Sequence, residues 1–275
     1  MKFKVFTVFG TRPDAIKMAP VVKELERRFE RFDHKVVVTG QHREMLDQVL
    51  SLFEIAPQYD LNIMQAGQTL AGITTRALEG LEKVFAAEAP SAVLAQGDTT
   101  TTFVAALAAF YHKAVFGHVE AGLRTGNRYD PFPEEMNRLL TTRLATLHFP
   151  PTRDSEANLL AEGVRKELIT VTGNTVIDAL LSTAAKSYTP TDPQLAEALA
   201  KEGRMVLVTA HRRENWGEPM ERICRAVAEI VDRFPDTHIV FPMHRNPVVR
   251  ATVTSVLGGK ERVALIDPPD YAPFV

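Results

Sequence analysis

Residues 92–138 read AVLAQGDTTTTFVAALAAFYHKAVFGHVEAGLRTGNRYDPFPEEMNR, and their reading decides the fold. Two short apolar runs, 92–95 and 114–117, have the length and composition of buried parallel strands. Each is followed by a small turn carrying an acid: Gly97-Asp98 after the first, His118-Val119-Glu120 after the second. In an open parallel sheet, ligands sit beyond the carboxyl ends of the strands. A third acid, Glu134, follows in PFPEEMNR. Carboxylates gathered at such an edge suit proton transfer. Each acid also has a structural reading. Asp98 fits the N-cap of a helix beginning at Thr99. Glu134 follows Pro133 in a first helical turn, where an acid complements the helix dipole. Glu120 has no helix to cap. The functional signal is the expected convergence of all three.

Outward from that stretch, the pattern is alternating strand and helix. A strand is expected at 4–9, followed by GTRPDAIKMAPVVKELERR. Gly10 allows a tight turn, Thr11-x-x-Asp14 has the form of a capping box, and Pro20 is expected to bend or restart the helix. A glycine turn opening a helix is an anion site, and Arg12 and Lys17 stand there for phosphate. The G-x-G-x-x-G fingerprint is absent after this strand, which argues against NAD; no cofactor is expected. Further strands are expected at 34–39, 146–149 and 168–171, and helices at 45–53, 69–87, 103–111, 138–145, 154–160 and 176–180. Residues 1–181 therefore read as a doubly wound parallel α/β domain. Residues 182–201 read as a connector with a short helix at 194–200. The pattern restarts over 202–275, with strands at 205–209, 238–241 and 263–266 and a helix at 220–234. Its polar turns, 210–215 and 243–246, again follow strands, so an interdomain cleft is the expected ligand site. Three strands in about 75 residues make a small domain, and the C-terminal part of this domain is expected to be missing.

Composition narrows the function. The 275 residues are 45% hydrophobic and 24% charged, with a net charge of −2. There is no global basic field for nucleic acid, no apolar run approaching the ~20 residues of a membrane span, and no Cys/His cluster with zinc spacing. The single cysteine, Cys224, lies in a helical pattern and reads as a packing residue. One free cysteine and no signal peptide give a cytoplasmic expectation.

FGTRPDAIKMAP, QHREMLDQVL, YDLNIM, GDTTTTFVAALAAFY, GHVEAGLRTGNRYDPFPEEMNR, TGNTVIDAL, TAHRREN and IDPPDYAPF together resemble the bacterial non-hydrolysing UDP-N-acetylglucosamine 2-epimerases, over residues 3–275. The resemblance implies the GT-B fold, two facing Rossmann-like domains with the nucleotide sugar between them. It implies an isomerase interconverting UDP-N-acetylglucosamine and UDP-N-acetylmannosamine, by anti elimination of UDP to 2-acetamidoglucal and re-addition, feeding surface polysaccharide synthesis. It assigns Arg12, Lys17 and His211 to the diphosphate and sugar, Asp98, Glu120 and Glu134 to proton handling and sugar binding, and Phe274 to the uracil. Pro269 stands where some relatives carry a contacting Gln. It further implies an activating second nucleotide-sugar site at Gln41, Glu134, Arg212 and His244, although Glu44 and Gly67 replace Gln and Arg of some relatives, and it implies a homodimer. The rival readings are a hydrolysing epimerase, a GT-B glycosyltransferase, and a nucleotide-sugar sensor; the last predicts loss of the three acids, which are all present.

Overall fold

The computed structural model describes residues 2–40, 43–212 and 215–275, without the side chains of Arg43 and Glu44. Gln41, His42, Arg213 and Glu214 therefore lie outside the described residues. The chain divides into two compact units, Met1–Ser182 and Thr183–Val275.

The first unit is built on β1 (Phe3–Phe9), β2 (Phe32–Val38), β3 (Tyr59–Asp60), β4 (Ala92–Gln96), β5 (Val115–Val119) and β6 (Leu147–Phe149). They form one sheet in the order β3-β2-β1-β4-β5-β6, with every pair parallel. The order reverses between β1 and β4, the switch point where such sheets open a crevice. Between the strands run α1 (Arg12–Arg27), α2 (Arg43–Leu52), α3 (Leu70–Glu88), α4 (Thr100–Tyr111), α5 (Glu134–Leu144), α6 (Arg153–Ala161) and α7 (Thr175–Ala184). The central strands β1, β4 and β5 carry mostly buried side chains because helices cover both faces. Phe6 and Val8 of β1, Val93 and Ala95 of β4 and Phe116 of β5 pack with Leu81 and Phe85 of α3 and Val104 and Ala108 of α4. Phe6 and Phe85 meet edge to face, with ring centroids 5.9 Å apart. Gly10 follows β1 where the chain passes close to its neighbours: a Cβ there would collide with the Thr39 and Thr101 hydroxyls.

Several expectations need correction. α1 does not restart at Pro20 but runs as one helix from Arg12 to Arg27. Met18, Ala19 and Val22 are buried around it, and that packing outweighs a helix-interior proline cost of ~3 kcal/mol. The capping box does not form: Thr11 makes no side-chain cap hydrogen bond, and the Asp14 carboxyl instead accepts from Thr99. Residues 168–171 are not a strand. Lys166–Leu168 is a 3-10 turn and only Ile169 bridges to His148. β6 ends at Pro150-Pro151, which have no N–H to extend a ladder. α5 begins at Glu134 rather than 138, because Pro133 and two first-turn acids favour a start there. β5 extends to Val119, so His118 lies within the strand and only Glu120 lies in the turn.

The second unit holds β7 (Arg204–Leu207), β8 (Thr237–Pro242) and β9 (Val263–Ile266) in a parallel sheet of that order, with α8 (Pro193–Ala200), α9 (Glu218–Arg233), α10 (Pro247–Leu257) and α11 (Tyr271–Phe274). Cys224 is buried with Met220, Val227, Ile239, Phe241 and Val253, in the packing role expected of it. α10 is not foreshadowed by its β-branched sequence. Asn246 caps it through Val248 N–H at 2.9 Å, and Val249, Val253 and Leu257 bury one stripe. The segment 182–201 differs from a free connector: Leu195 and Ala198 of α8 pack on Val240 and Ile266. No described helix is long and apolar enough to cross a membrane, and no acid, His or Cys group among the described residues is arranged for a metal.

His118 and His148 are register partners on β5 and β6. Both are buried, and each leaves Nδ1 without a hydrogen-bond partner among the described residues. Burial, reinforced by Arg124, pushes both rings down to about 4. Between the free value of 6.5 and that level, the unfolded chain binds more protons, so their stabilising contribution is complete above pH 6.5 and is lost as pH falls. A His148→Gln variant should therefore close on the parent protein in urea-unfolding free energy as pH drops from 6.5 to 4.5, by up to about 1.4 kcal/mol per pH unit. A gap constant with pH would show that His148 is not held neutral.

Candidate active site

The carboxyl ends of β4 and β5 deliver Asp98 and Glu120 to the same edge. Glu120 has φ 61°, in the left-handed region. A non-glycine residue there costs roughly 1–2 kcal/mol, and the site around it supplies a compensation in donors. Lys17 Nζ on α1 reaches both carboxylate oxygens, at 2.8 and 2.7 Å. Asn174 Nδ2 donates to Oε1 at 2.7 Å, and Gln96 Nε2 donates to Oε2. The Glu120 side chain is 9% exposed, so an ionised carboxylate needs this many partners. Gly97 lies directly against it: a Cβ on Gly97 would stand 3.7 Å from Glu120 Oε2.

Asp98 is not the cap of α4. Thr99 takes that role, its hydroxyl accepting the Thr102 N–H at 3.3 Å. The Asp98 side chain is thereby released, and Arg138 of α5 donates to its Oδ2 at 2.6 Å. Asn137 fixes the same turn by donating to the Asp98 carbonyl at 2.8 Å. Arg138 also donates to Glu135 at 2.9 Å, and Glu135 accepts the Thr125 and Gly126 N–H groups at 3.1 Å each. Burial pushes the Glu135 carboxyl up, but Arg138 and those two N–H groups outweigh it and hold it below its ordinary range. Glu135 therefore anchors the loop before α5 to its first turn. Glu134 is the first residue of α5, half-buried, with no hydrogen bond or ion pair to a described residue. It lies one helical turn before Asn137 and Arg138, on the face that meets the Asp98 turn.

The N-terminal end of α1 carries Arg12, half-buried, beside Asp14, with Lys17 one turn further on. The Arg12 side chain makes no hydrogen bond or ion pair among the described residues, whereas Lys17 is held by Glu120. The remaining expected residues lie in the second unit. His211 and His244 stack with centroids 6.2 Å apart and planes 19° off parallel. Trp216 Nε1 donates to the His211 carbonyl at 3.4 Å, and His244 Nδ1 accepts the Asn246 N–H at 3.2 Å. Arg212 is exposed beside them. Phe274 is 42% exposed. With Pro269, Met205, Leu207 and Val240 it lines an apolar cavity of about 340 Å³ within this unit. Gln41 lies outside the described residues.

Sequence reasoning missed Gln96, Glu135, Arg138, Asn137 and Asn174 as parts of the site. In the sequence Asn174 stands only in the turn TGN, and Arg138 only at the start of the expected helix 138–145. Their partners lie 24–54 positions away for the Glu120 donors and 39–40 for the Asp98 donors; no local pattern records such pairs.

The family model described as UDP-N-acetylglucosamine 2-epimerase matches residues 23–275. The UDP-N-acetylglucosamine 2-epimerase of Salmonella typhimurium is 55% identical over 277 residues, covering 99% of this chain and 73% of that protein. The crystal structure of UDP-GlcNAc 2-epimerase from Neisseria meningitidis bound to UDP-GlcNAc superposes with TM-score 0.85 at 50% identity, over 99% of this chain and 74% of that one. A lipopolysaccharide outer core galactosyltransferase matches at 12% identity with TM-score 0.55, over 99% of this chain and 70% of that one, a likeness of fold alone.

The Arg138 side chain is 14% exposed and answers both Asp98 and Glu135. Its replacement leaves two carboxylates without their cation. Arg138→Met should lower the unfolding free energy by about 3–5 kcal/mol at pH 7.5, read from urea unfolding. Arg138→Lys should recover only part, since an ammonium lacks the fork that spans two acids. A loss under 1 kcal/mol would show that the triad contributes little.

Proposed function

This chain belongs to the UDP-N-acetylglucosamine 2-epimerase family, and on that footing we propose that it interconverts UDP-N-acetylglucosamine and UDP-N-acetylmannosamine without hydrolysing them. The observation that carries the reading is the gathering of Asp98, Glu120 and the first turn of α5 at one sheet edge, with Asp98 held by Arg138 and Glu120 by Lys17 and Asn174. Epimerisation at C2 of a sugar requires a base to take the C2 proton from one face and an acid to return a proton to the other. The C2–H electrons form the C1–C2 double bond as the C1–O bond to UDP breaks, giving 2-acetamidoglucal. Protonation at C2 from the opposite face, with UDP returning to C1, completes the inversion.

The division of labour follows from the partners. Glu120 already accepts from Lys17, Gln96 and Asn174, and suits holding the sugar and orienting Lys17. Among the described residues, Asp98 Oδ1 and both Glu134 carboxylate oxygens have no partner. These two are the proton carriers in our reading. Arg12 and Lys17, at the positive end of α1, answer the charge that develops on the departing diphosphate. The Neisseria relative is described as bound to UDP-GlcNAc, which supports the same ligand here. His211 and Phe274 are proposed for the nucleotide, and Gln41, Glu134, Arg212 and His244 for an activating second molecule. A homodimer, a cytoplasmic location and a role in surface polysaccharide synthesis are the corresponding proposals for its setting.

Incubation of the protein with UDP-N-acetylglucosamine in heavy water tests this. Deuterium should enter C2 and UDP-N-acetylmannosamine should accumulate with UDP still attached at equilibrium. Asp98→Asn and Glu134→Gln should each lower kcat by about 10²–10⁴-fold. Free N-acetylmannosamine as the main product would assign the hydrolysing reaction instead. No exchange at C2 would exclude both and favour glycosyl transfer.

A further inference from the structure

Beneath Asp98 lies a second carboxyl that the proposed chemistry does not use. Asp14, in the first turn of α1, is 4% exposed. Its Oδ2 accepts from the Thr99 hydroxyl at 3.2 Å. Thr99 is the residue that caps α4 and directly follows Asp98. The rest of the Asp14 carboxyl is engaged by the Thr11 side chain and the Gly10 backbone N–H. A buried acid at this place thus joins the turn after β1 to the turn after β4, across the switch point of the sheet. Nothing in local helix capping calls for it, since the reciprocal capping box with Thr11 is not made.

We propose that Asp14 is a positioning residue: through the Thr99 hydroxyl it holds the turn that carries Asp98 in the geometry that turnover needs. This rests on the assignment of Asp98 to proton transfer. The charged groups around Asp14 are Arg12 and Lys17 on its own helix, Asp98 after β4, Glu120 after β5, which engages Lys17, and Arg138 of α5, which engages Asp98. No described cation pairs with Asp14 itself. Burial, with a smaller push from Asp98 and against the hydrogen bonds of Thr11, Gly10 and Thr99, raises its carboxyl from 3.8 to about 6. Above that pH, Asp14 is an acceptor-only anion for Thr99. Below it, one oxygen carries a proton and competes with Thr99 as a donor.

The test is the pH dependence of kcat for UDP-N-acetylglucosamine between pH 5 and 9 in Asp14→Asn, Asp14→Glu and Asp98→Asn variants, beside thermal unfolding of each. Asp14→Asn keeps an oxygen for Thr99 and removes the titration. As the neutral isostere of the protonated acid it also carries a donor, so the Asp14 ionisation should vanish from the acid limb with kcat lowered at neutral pH, while KM changes less than about threefold. Asp14→Glu should restore an ionisation on that limb at reduced kcat, roughly ten- to hundredfold down from the misplaced turn. An Asp14→Asn protein whose limb is unmoved, whether or not its melting temperature falls, overturns the proposal. If Asp14→Asn fails to fold, the Asp14→Glu profile decides alone: a limb and kcat equal to the parent's exclude the role. Full turnover in Asp98→Asn sinks the underlying catalytic assignment instead, and is read separately.

Discussion

A carboxylate removed from water must be met by donors, and the first unit is arranged around that requirement. Glu120 stands at the end of a buried strand in a left-handed conformation, with Lys17, Gln96 and Asn174 brought from three other parts of the chain to receive it. Losing any one donor leaves charge facing a low-dielectric interior, where the penalty is far larger than at the surface. The same demand recurs at Asp98 and Glu135, which share Arg138. The sheet, the turn geometry and the first turn of α5 are tied together through these charges as much as through the apolar core.

That arrangement also separates the acids by role. Glu120 has its oxygens engaged by donors, Glu135 is sealed by a cation and two backbone N–H groups, and Asp98 and Glu134 retain oxygens facing no described partner. Four carboxylates in one neighbourhood would repel without this partition. Arg138 and Lys17 are the cations that let the group coexist.

Fold class was legible from local pattern. Short apolar runs alternating with amphipathic segments gave a doubly wound parallel sheet, and β9 matches its expected bounds, Val263–Ile266. The errors fall where long-range contacts override local preference. Pro20 is carried inside α1 by buried neighbours, residues 168–171 reduce to one bridge beside a double proline, and α10 is a helix in spite of its valines and threonines. Residues 182–201, polar enough to read as a linker, pack α8 onto β8 and β9 through two apolar side chains.

For the site, the sequence by itself determined which acids stand just past the strands, because strand ends and turn chemistry are local properties of the chain. It also determined the family, through long motifs whose spacing survives without coordinates. Only the tertiary structure decided what each acid is bonded to. That Thr99 rather than Asp98 caps α4, that Glu135 is sealed while Glu134 is not, and that Asp14 reaches across to Thr99 are all consequences of pairs separated by tens of residues. Charge and hydrogen bonding act through space, and a linear pattern carries no distance between groups that only folding makes adjacent.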